Sequence, residues 1–131
     1  MKAFFDHNIE PFLARAVHIA VERLGDEAAA LEDKFARNIS DRDWITHLGE
    51  EGGWTIFSSD KRILKNRIER KALHTAGLTA FFFRPSVQKQ TAIQRTATVL
   101  WHWEKLRGFV PQQSRGLYWM PVNKSAKFEA I

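Results

Sequence analysis

The sequence predicts an α/β protein, a three-layer α/β/α sandwich around a mostly parallel sheet of four or five strands. Short apolar segments alternate with stretches whose apolar residues recur at helical spacing. This alternation indicates β-α-β units, whose strands pair in parallel and whose right-handed crossovers place helices on both faces of the sheet. A length of 131 residues fits one domain, 1–131, and no linker or internal repeat divides it.

The first strand and the first helix are predicted from a short apolar run and from the residues that end or begin each element. Residues 2–5 form a buried strand that ends at Asp6. A helix is expected over about 9–24. Pro11 lies in its first turn, where the missing N–H costs nothing, and Gly25 is a plausible terminator.

The middle of the chain holds one ambiguous segment, one capped helix and the clearest later strand. Residues 28–35 fit either a helical extension or a short strand near 30–32. A helix is predicted after Ser40, which forms an approximate capping box with Asp43. Aromatic and β-branched residues then indicate a strand over 54–58.

The last part of the chain is predicted to contain two helices and two strands. A basic helix covers about 62–75, and a buried strand follows at 78–83. A long helix is expected over about 87–106, a last strand over 116–122, and a loose tail beyond Asn123. The predicted inner face of the long helix holds Ile93, Ala97, Leu100 and Trp101.

Charge is divided unevenly along the chain. Residues 1–60 carry six Lys/Arg and twelve Asp/Glu, whereas residues 61–131 carry fourteen and three, which gives formal charges of −6 and +11. An acidic part that holds cations beside a basic part that attracts a polyanion suits a phosphodiester-cleaving enzyme. A basic surface that only aids solubility is the alternative.

Two classes of protein are excluded or disfavoured by composition. The chain contains no cysteine, which excludes disulfides and thiolate metal sites. No apolar run approaches the roughly 20 residues of a membrane span, and an acidic residue comes too early for a secretory signal. We therefore expect a cytoplasmic protein with no membrane partner.

Three separated segments bring carboxylates to one edge of the predicted sheet. Asp6 and Asp60 follow strands, and ligands bind beyond the carboxyl ends of parallel strands. Asp41 and Asp43 lie where a crossover helix begins, at the same edge. Such carboxylates hold Mg²⁺, which activates water and stabilises charge on a phosphate. The alternative is that each aspartate only caps a helix.

Other patterns are weaker. Lys61 and Arg62 follow Asp60 directly and are predicted to offset phosphate charge, although a solvated helix face is an alternative. The five histidines show no metal-ligand spacing, and no G-x-S-x-G elbow supports a serine nucleophile. Trp101 and Trp103 fit a base-stacking surface, a core position or a partner interface.

Four short blocks of the chain resemble the PIN-like ribonuclease domains, especially the VapC-like toxin branch. The blocks lie at 4–8, 41–45, 54–63 and 72–83, and the resemblance covers roughly residues 3–85. It implies an α/β/α sandwich with Mg²⁺ or Mn²⁺ bound by clustered acids. It also implies an RNA substrate and an antitoxin protein that blocks the site.

Carried over residue by residue, the resemblance assigns a role to each candidate acid. Asp6 would be the first metal ligand and Asp60 the acid of the third motif. Asp41 is the preferred middle acid, with Asp43 as the alternative. Arg62 stands where many such domains carry a fourth acid, which implies either a site that holds one metal tightly and a second only with substrate, or a weakened site.

The leading hypothesis is a Mg²⁺-dependent endoribonuclease that is the toxin of a toxin–antitoxin pair. Residues predicted to contact substrate or support the ligands are Lys61, Arg62, Asn8 and Ser58. One rival is a non-catalytic PIN-like module that binds RNA or protein. Another is a phosphoacceptor domain, which the lack of an acidic pair near Asp6 disfavours. The sequence does not determine the oligomeric state, and a homodimer is one alternative.

Overall fold

The computed structural model describes residues 1–112 and 115–131. The strands are β1 (Lys2–Phe5), β2 (Glu27–Ala30), β3 (Trp54–Ser58), β4 (Thr79–Phe83) and β5 (Gly116–Met120). The helices are α1 (Pro11–Val21), α2 (Leu31–Lys34), α3 (Asp41–Glu51), α4 (Lys61–Lys65), α5 (Arg67–Thr75), α6 (Pro85–Gln88), α7 (Ala92–Trp101) and α8 (Trp103–Phe109). Short 3₁₀ turns cover Glu22–Leu24 and Val110–Gln112.

The five strands form one sheet in the order β2-β1-β3-β4-β5, and every neighbouring pair is parallel. Helices cover both faces, which confirms the predicted three-layer fold. No helix in the described ranges combines the length and apolarity that crossing a membrane requires.

Alternation along the strands sends side chains into two separate cores. Phe5 and Phe81 pack in the core under α1, α7 and α8, while Phe4, Ala80 and Phe82 pack in the core under α3, α4 and α5. This period of two is what a strand buried on both faces requires.

Aromatic rings at one level of the sheet fix the register of four strands. Phe5, Phe57, Phe81 and Tyr118 are successive register partners. Their ring centroids are 4.9 Å, 5.5 Å and 5.7 Å apart along the row. Since a slip by one residue would turn each ring to the other face, the row locks the strand ends at the same height. The residues that follow Phe5 and Phe57 therefore meet at the carboxyl edge.

The predicted basic helix over 62–75 is wrong in one respect, because it is two helices. Asn66 has extended backbone angles (φ −85°, ψ 112°) and ends α4. Its side chain accepts hydrogen bonds from the backbone N–H groups of Ile68 (2.9 Å) and Glu69 (3.3 Å), so it caps α5.

The predicted long helix over 87–106 is also divided, and of its predicted inner face only Leu100 packs against the core. Thr91 begins α7 with a capping box to Gln94, and a further break falls at His102. Ile93, Ala97 and Trp101 are exposed, Ile93 and Trp101 to 77% and 61%. The residues buried instead are Thr98 and Val99 of α7 and Trp103 and Leu106 of α8.

The structure also describes the ambiguous segment at 28–35 and the C-terminal tail. The ambiguous segment after residue 27 is β2 followed directly by α2. The tail, expected to be loose, packs on the sheet: Phe128 is buried, and the N–H of Ile131 donates to the carbonyl of Leu117 (2.8 Å). An antiparallel bridge pairs Tyr118 with Ala130. The buried ring and these backbone bonds hold the tail.

Candidate active site at the carboxyl edge of the sheet

Asp6 leaves β1 at the level of Ser58 and is almost fully buried. Its N–H donates to the carbonyl of Phe57 (3.1 Å), which continues the register of the two strands. The Ser58 hydroxyl donates to Oδ2 of Asp6, and the Asn8 N–H donates to Oδ1 (3.2 Å). Burial, which outweighs these hydrogen bonds, raises the pKa of Asp6 to about 7.

Asp60 lies two residues beyond Ser58, and its pKa is shifted in the opposite direction from that of Asp6. Its N–H donates to the Ser58 hydroxyl (3.0 Å), so Ser58 contacts both aspartates. The Arg62 guanidinium donates to Oδ1 (3.0 Å) and Oδ2 (3.1 Å), and the Arg62 N–H donates to Oδ1 (2.9 Å). Burial opposes ionisation of Asp60, but the bonds from Arg62 prevail and lower its pKa.

Asp41 reaches the same edge as the first residue of α3. It lines a cavity of about 400 Å³, the carboxylate cavity, together with Asp60 and Arg62. The Trp44 indole donates to Asp41 Oδ1 (2.9 Å), and Nδ1 of His7 lies 3.9 Å from the same oxygen. Because Trp44 is buried in the core, this bond anchors the Asp41 carboxylate at the cavity wall.

Asp43, the alternative middle acid, lies outside the carboxylate cavity. It is exposed and is absent from the residues that line the carboxylate cavity within the described part of the chain. Its N–H donates to the Ser40 hydroxyl (3.1 Å), the helix cap predicted from the sequence. The cavity thus has Asp41, and not Asp43, beside Asp60.

Glu69 is a further acid that lines this cavity, and it was not predicted from the sequence. Burial, followed by the negative charges of Asp41 and Asp60, raises the pKa of Glu69. Glu69 lies in the first turn of α5 because Asn66 restarts the helix there. The signal was present as an Asn followed three residues later by Glu, a typical helix start.

The remaining predicted site residues take different positions. Arg62 lines the cavity while bound to Asp60. Lys61 is exposed at the first position of α4. Asn8 contributes its backbone, since its N–H binds Asp6 and its carbonyl accepts from the Ser59 hydroxyl (3.2 Å). Ser58, expected only as a supporting residue, connects the two buried aspartates.

The donor set suits a hard divalent cation. Asp41, Asp60 and Glu69 line the carboxylate cavity, whereas Asp6 lines a separate cavity of about 170 Å³ that shares His7 with it. All four offer carboxylate oxygens, the ligands that Mg²⁺ and Mn²⁺ prefer. Their mutual repulsion is visible, because the charge of Asp60 raises the pKa of both Asp6 and Glu69. Within residues 1–112 and 115–131, however, no three His, Cys, Asp or Glu side chains stand close enough to hold a metal as placed. Both oxygens of Asp60 accept from Arg62 in this arrangement.

Comparison with known proteins identifies a family for most of the chain. A family model described as a PIN-like domain matches residues 1–85. The chain belongs to this family. The matched part of the PIN-like domain runs from β1 through β4 and contains Asp6 and the three acids that line the carboxylate cavity. Helices α7 and α8 and strand β5 lie beyond it. No curated protein and no solved structure gives a match.

Proposed function

We propose that this PIN-like domain is a metal-dependent endoribonuclease and that the carboxylate cavity is its active site. The observation that carries the proposal is the connection of Asp6 and Asp60 through the Ser58 hydroxyl. Asp41 and Glu69 share a cavity with Asp60. PIN-like domains are commonly nucleases, which supports the same assignment.

The residues that would hold Mg²⁺ or Mn²⁺ are Asp6, Asp41 and Asp60, with Glu69 as the fourth acid. A divalent cation bound to them would activate water and offset the charge on the scissile phosphate. Such a cation also relieves the repulsion among the carboxylates. Because both oxygens of Asp60 accept from Arg62, Arg62 would compete with a metal for this carboxylate.

The chain's own residues have separate tasks in this proposal. Ser58 orients Asp6 by donating from its hydroxyl, and it orients Asp60 by accepting that residue's backbone N–H. Trp44 orients Asp41. Arg62, once released from Asp60, and Lys61 supply positive charge for the phosphate that is cut.

The test substitutes the three proposed metal ligands one at a time and compares them with Asp43, which lies on the same helix as Asp41. Asp41→Asn, Asp6→Asn and Asp60→Asn should each lower Mg²⁺-stimulated RNA cleavage by on the order of 10²-fold or more, because each removes a carboxylate from the proposed metal site. Asp43→Asn removes the same charge from a residue outside the cavity and should retain wild-type activity. Circular dichroism and thermal melting would verify that all four variants fold. Full cleavage by the Asp6 or Asp60 variant would end the proposal.

Within the PIN-like family, we assign this chain to the VapC-like branch, as the toxin of a toxin–antitoxin pair. The sequence blocks described above support it. Induced expression should then arrest bacterial growth, whereas expression of the Asp6→Asn variant should not. Normal growth with abundant folded, active wild-type protein would contradict the toxin role and leave the nuclease proposal standing.

A second candidate is a non-catalytic module that binds RNA or protein. The ion pair of Arg62 with Asp60 favours it, because the ion pair uses both oxygens of a would-be metal ligand. A module of this kind would bind RNA equally well with and without EDTA. It would release no cleaved product at any concentration of Mg²⁺ or Mn²⁺.

A further inference from the structure

One face of α5 is a continuous row of basic side chains. Arg67, Arg70, Lys71 and His74 have the spacing i, i+3, i+4, i+7, which places them on one side of a helix. All four line a cavity of about 430 Å³. Arg115, just before β5, closes the other side, where its Nη1 donates to the carbonyl of His74 (3.3 Å). These five residues form the α5 basic face.

The cations of this face have no carboxylate partners. Within residues 1–112 and 115–131, Arg67, Arg70 and Lys71 form no ion pair, and the cavity that they line contains no acidic residue. Several arginines elsewhere form ion pairs: Arg15 with Asp33 (2.7 Å), Arg37 with Glu32 (2.8 Å) and Arg84 with Glu129 (2.8 Å). Among the described residues, Arg23 and Arg42 are also exposed and without an ion pair, but they stand singly, whereas the cations of α5 form a row. The positive potential of the α5 basic face is therefore available to an external anion.

The position of α5 connects this face to the carboxylate cavity. Asn66 and Glu69, at the start of α5, line the carboxylate cavity, and Arg67 lies between them in the sequence. The row from Arg67 to His74 leads away from the acids for about 10 Å, at 1.5 Å per residue. The two cavities share no lining residue, and Glu69 lies on the other side of α5 from the row. An elongated polyanion bound along the row would therefore reach the start of α5 and pass around it to enter the carboxylate cavity.

We propose that the α5 basic face binds the phosphate backbone of single-stranded RNA and leads the strand to the carboxylate cavity. This proposal rests on the proposed function and adds the path of the substrate. The cavity floor is apolar, formed by Leu78 and Leu117 with Gly116. Basic walls above an apolar floor match a nucleotide chain, which carries evenly spaced phosphates and apolar ring faces.

Binding and cleavage are measured separately. In EDTA, where cleavage is prevented, a fluorescein-labelled unstructured RNA oligonucleotide is titrated at several KCl concentrations. The triple variant Arg67→Gln, Arg70→Gln, Lys71→Gln is compared with a control of equal charge loss, Arg23→Gln, Lys124→Gln, Lys127→Gln. The control residues are exposed and lie outside both cavities.

The α5 triple variant should bind at least about tenfold more weakly at low salt. The slope of its log affinity against log salt concentration should be shallower by about 2, at roughly 0.7 for each phosphate that the variant leaves without a cation. The control should change only slightly. A charge-conserving variant, Arg67→Lys, Arg70→Lys, Lys71→Arg, should restore most of the affinity. Thermal melting would show that each variant is folded.

The outcomes separate the two proposals. Equal RNA affinity for the α5 variant and the control, or no RNA binding by the wild type, would overturn the α5 proposal. If the α5 variant binds an acidic polypeptide more weakly but RNA as well as the wild type does, the face binds a protein and the proposal is also wrong. Binding through α5 by a wild type that cleaves no RNA would support the path and refute the nuclease.

Discussion

Burial and the hydrogen bonds of Arg62 shift the pKa values of two neighbouring aspartates in opposite directions. Burial raises the pKa of Asp6 to about 7, whereas hydrogen bonds from Arg62 overcome burial and lower the pKa of Asp60. At neutral pH one carboxyl is near its titration point and the other is ionised. Environments that separate two pKa values in this way allow two carboxyls to serve different roles.

Substitution of Arg62 tests whether its ion pair competes with a metal. In Arg62→Gln the carboxylate of Asp60 loses its cationic partner, so Mn²⁺ should bind several-fold more tightly, where tenfold corresponds to about 1.4 kcal/mol. Isothermal titration calorimetry with Mn²⁺ measures this change. Lys65→Gln is the matched control, since it removes the same charge from an exposed position of α4 that lies outside the cavity. Weaker Mn²⁺ binding by Arg62→Gln would show that Arg62 supports the site instead of blocking it.

At the scale of elements, the Asn66 cap determines where Glu69 points. The cap ends α4 and restarts the chain as α5, which brings Glu69 to the carboxylate cavity and the basic row to its flank. One side chain that accepts two backbone N–H groups therefore positions residues of both proposed surfaces.

Removal of this cap should affect both stability and metal binding. Asn66→Ala leaves two N–H groups without their acceptor and should lower the free energy of unfolding by about 1 kcal/mol. Mn²⁺ affinity should fall as well, because the first turn of α5 frays around Glu69. Urea denaturation and calorimetry measure the two effects, and Asn66→Ser, which preserves a capping oxygen, should restore both. Unchanged Mn²⁺ affinity in a destabilised Asn66→Ala would remove Glu69 from the site.

The sequence predicted the strands better than it predicted the helix breaks. Apolar runs bounded by Asp6 and Asp60 marked β1 and β3, and parallel topology then placed both acids at one edge. The break at Asn66 was not predicted, because the apolar residues on either side of it were assigned to one helix, although Asn66 with Glu69 three residues later is a typical helix start. Glu69 was missed for the same reason. Ile93 and Trp101 fit a buried helical stripe by spacing, but the side of α7 that packs on the core carries Thr98 and Val99 instead.

At the scale of the whole molecule, the fold places opposite charges side by side. The sequence showed an acidic first part and a basic second part, but not which residues would be neighbours. The fold brings Asp41 and Asp60 into one cavity and joins Asp6 to Asp60 through Ser58. Helix α5 then leads away from these acids with its basic face unpaired in the described part of the chain. A cation site next to an anion path is the distribution that phosphodiester cleavage needs.

Global stability should depend on Asp26, which joins the N-terminus to α8. Burial opposes its ionisation, but the terminal ammonium, the Trp103 indole (2.9 Å) and Arg107 (2.7 Å) lower its pKa. A lowered pKa contributes stability above the ordinary value, 3.8, that is lost as pH falls through the folded value. Asp26→Asn should therefore cost about 3 kcal/mol at pH 7, the range for breaking a buried ion pair, and less and less below about pH 4.

Urea denaturation across a pH series measures this dependence. The control is Asp33→Asn, which breaks an exposed ion pair with Arg15 and should cost less than about 1 kcal/mol at any pH. A cost for Asp26→Asn that stays constant from pH 7 to about pH 3 would contradict the assigned electrostatic role.

If Asp6, Asp41, Asp60 and Glu69 form a site for a divalent cation, crystals grown with Mn²⁺ should show that ion in an anomalous difference map. We expect a peak between Asp6 and Asp60, at the carboxylate cavity, that disappears in Asp6→Asn crystals. A map with no peak there at saturating Mn²⁺, or with the same peak in the variant, would contradict the proposed site.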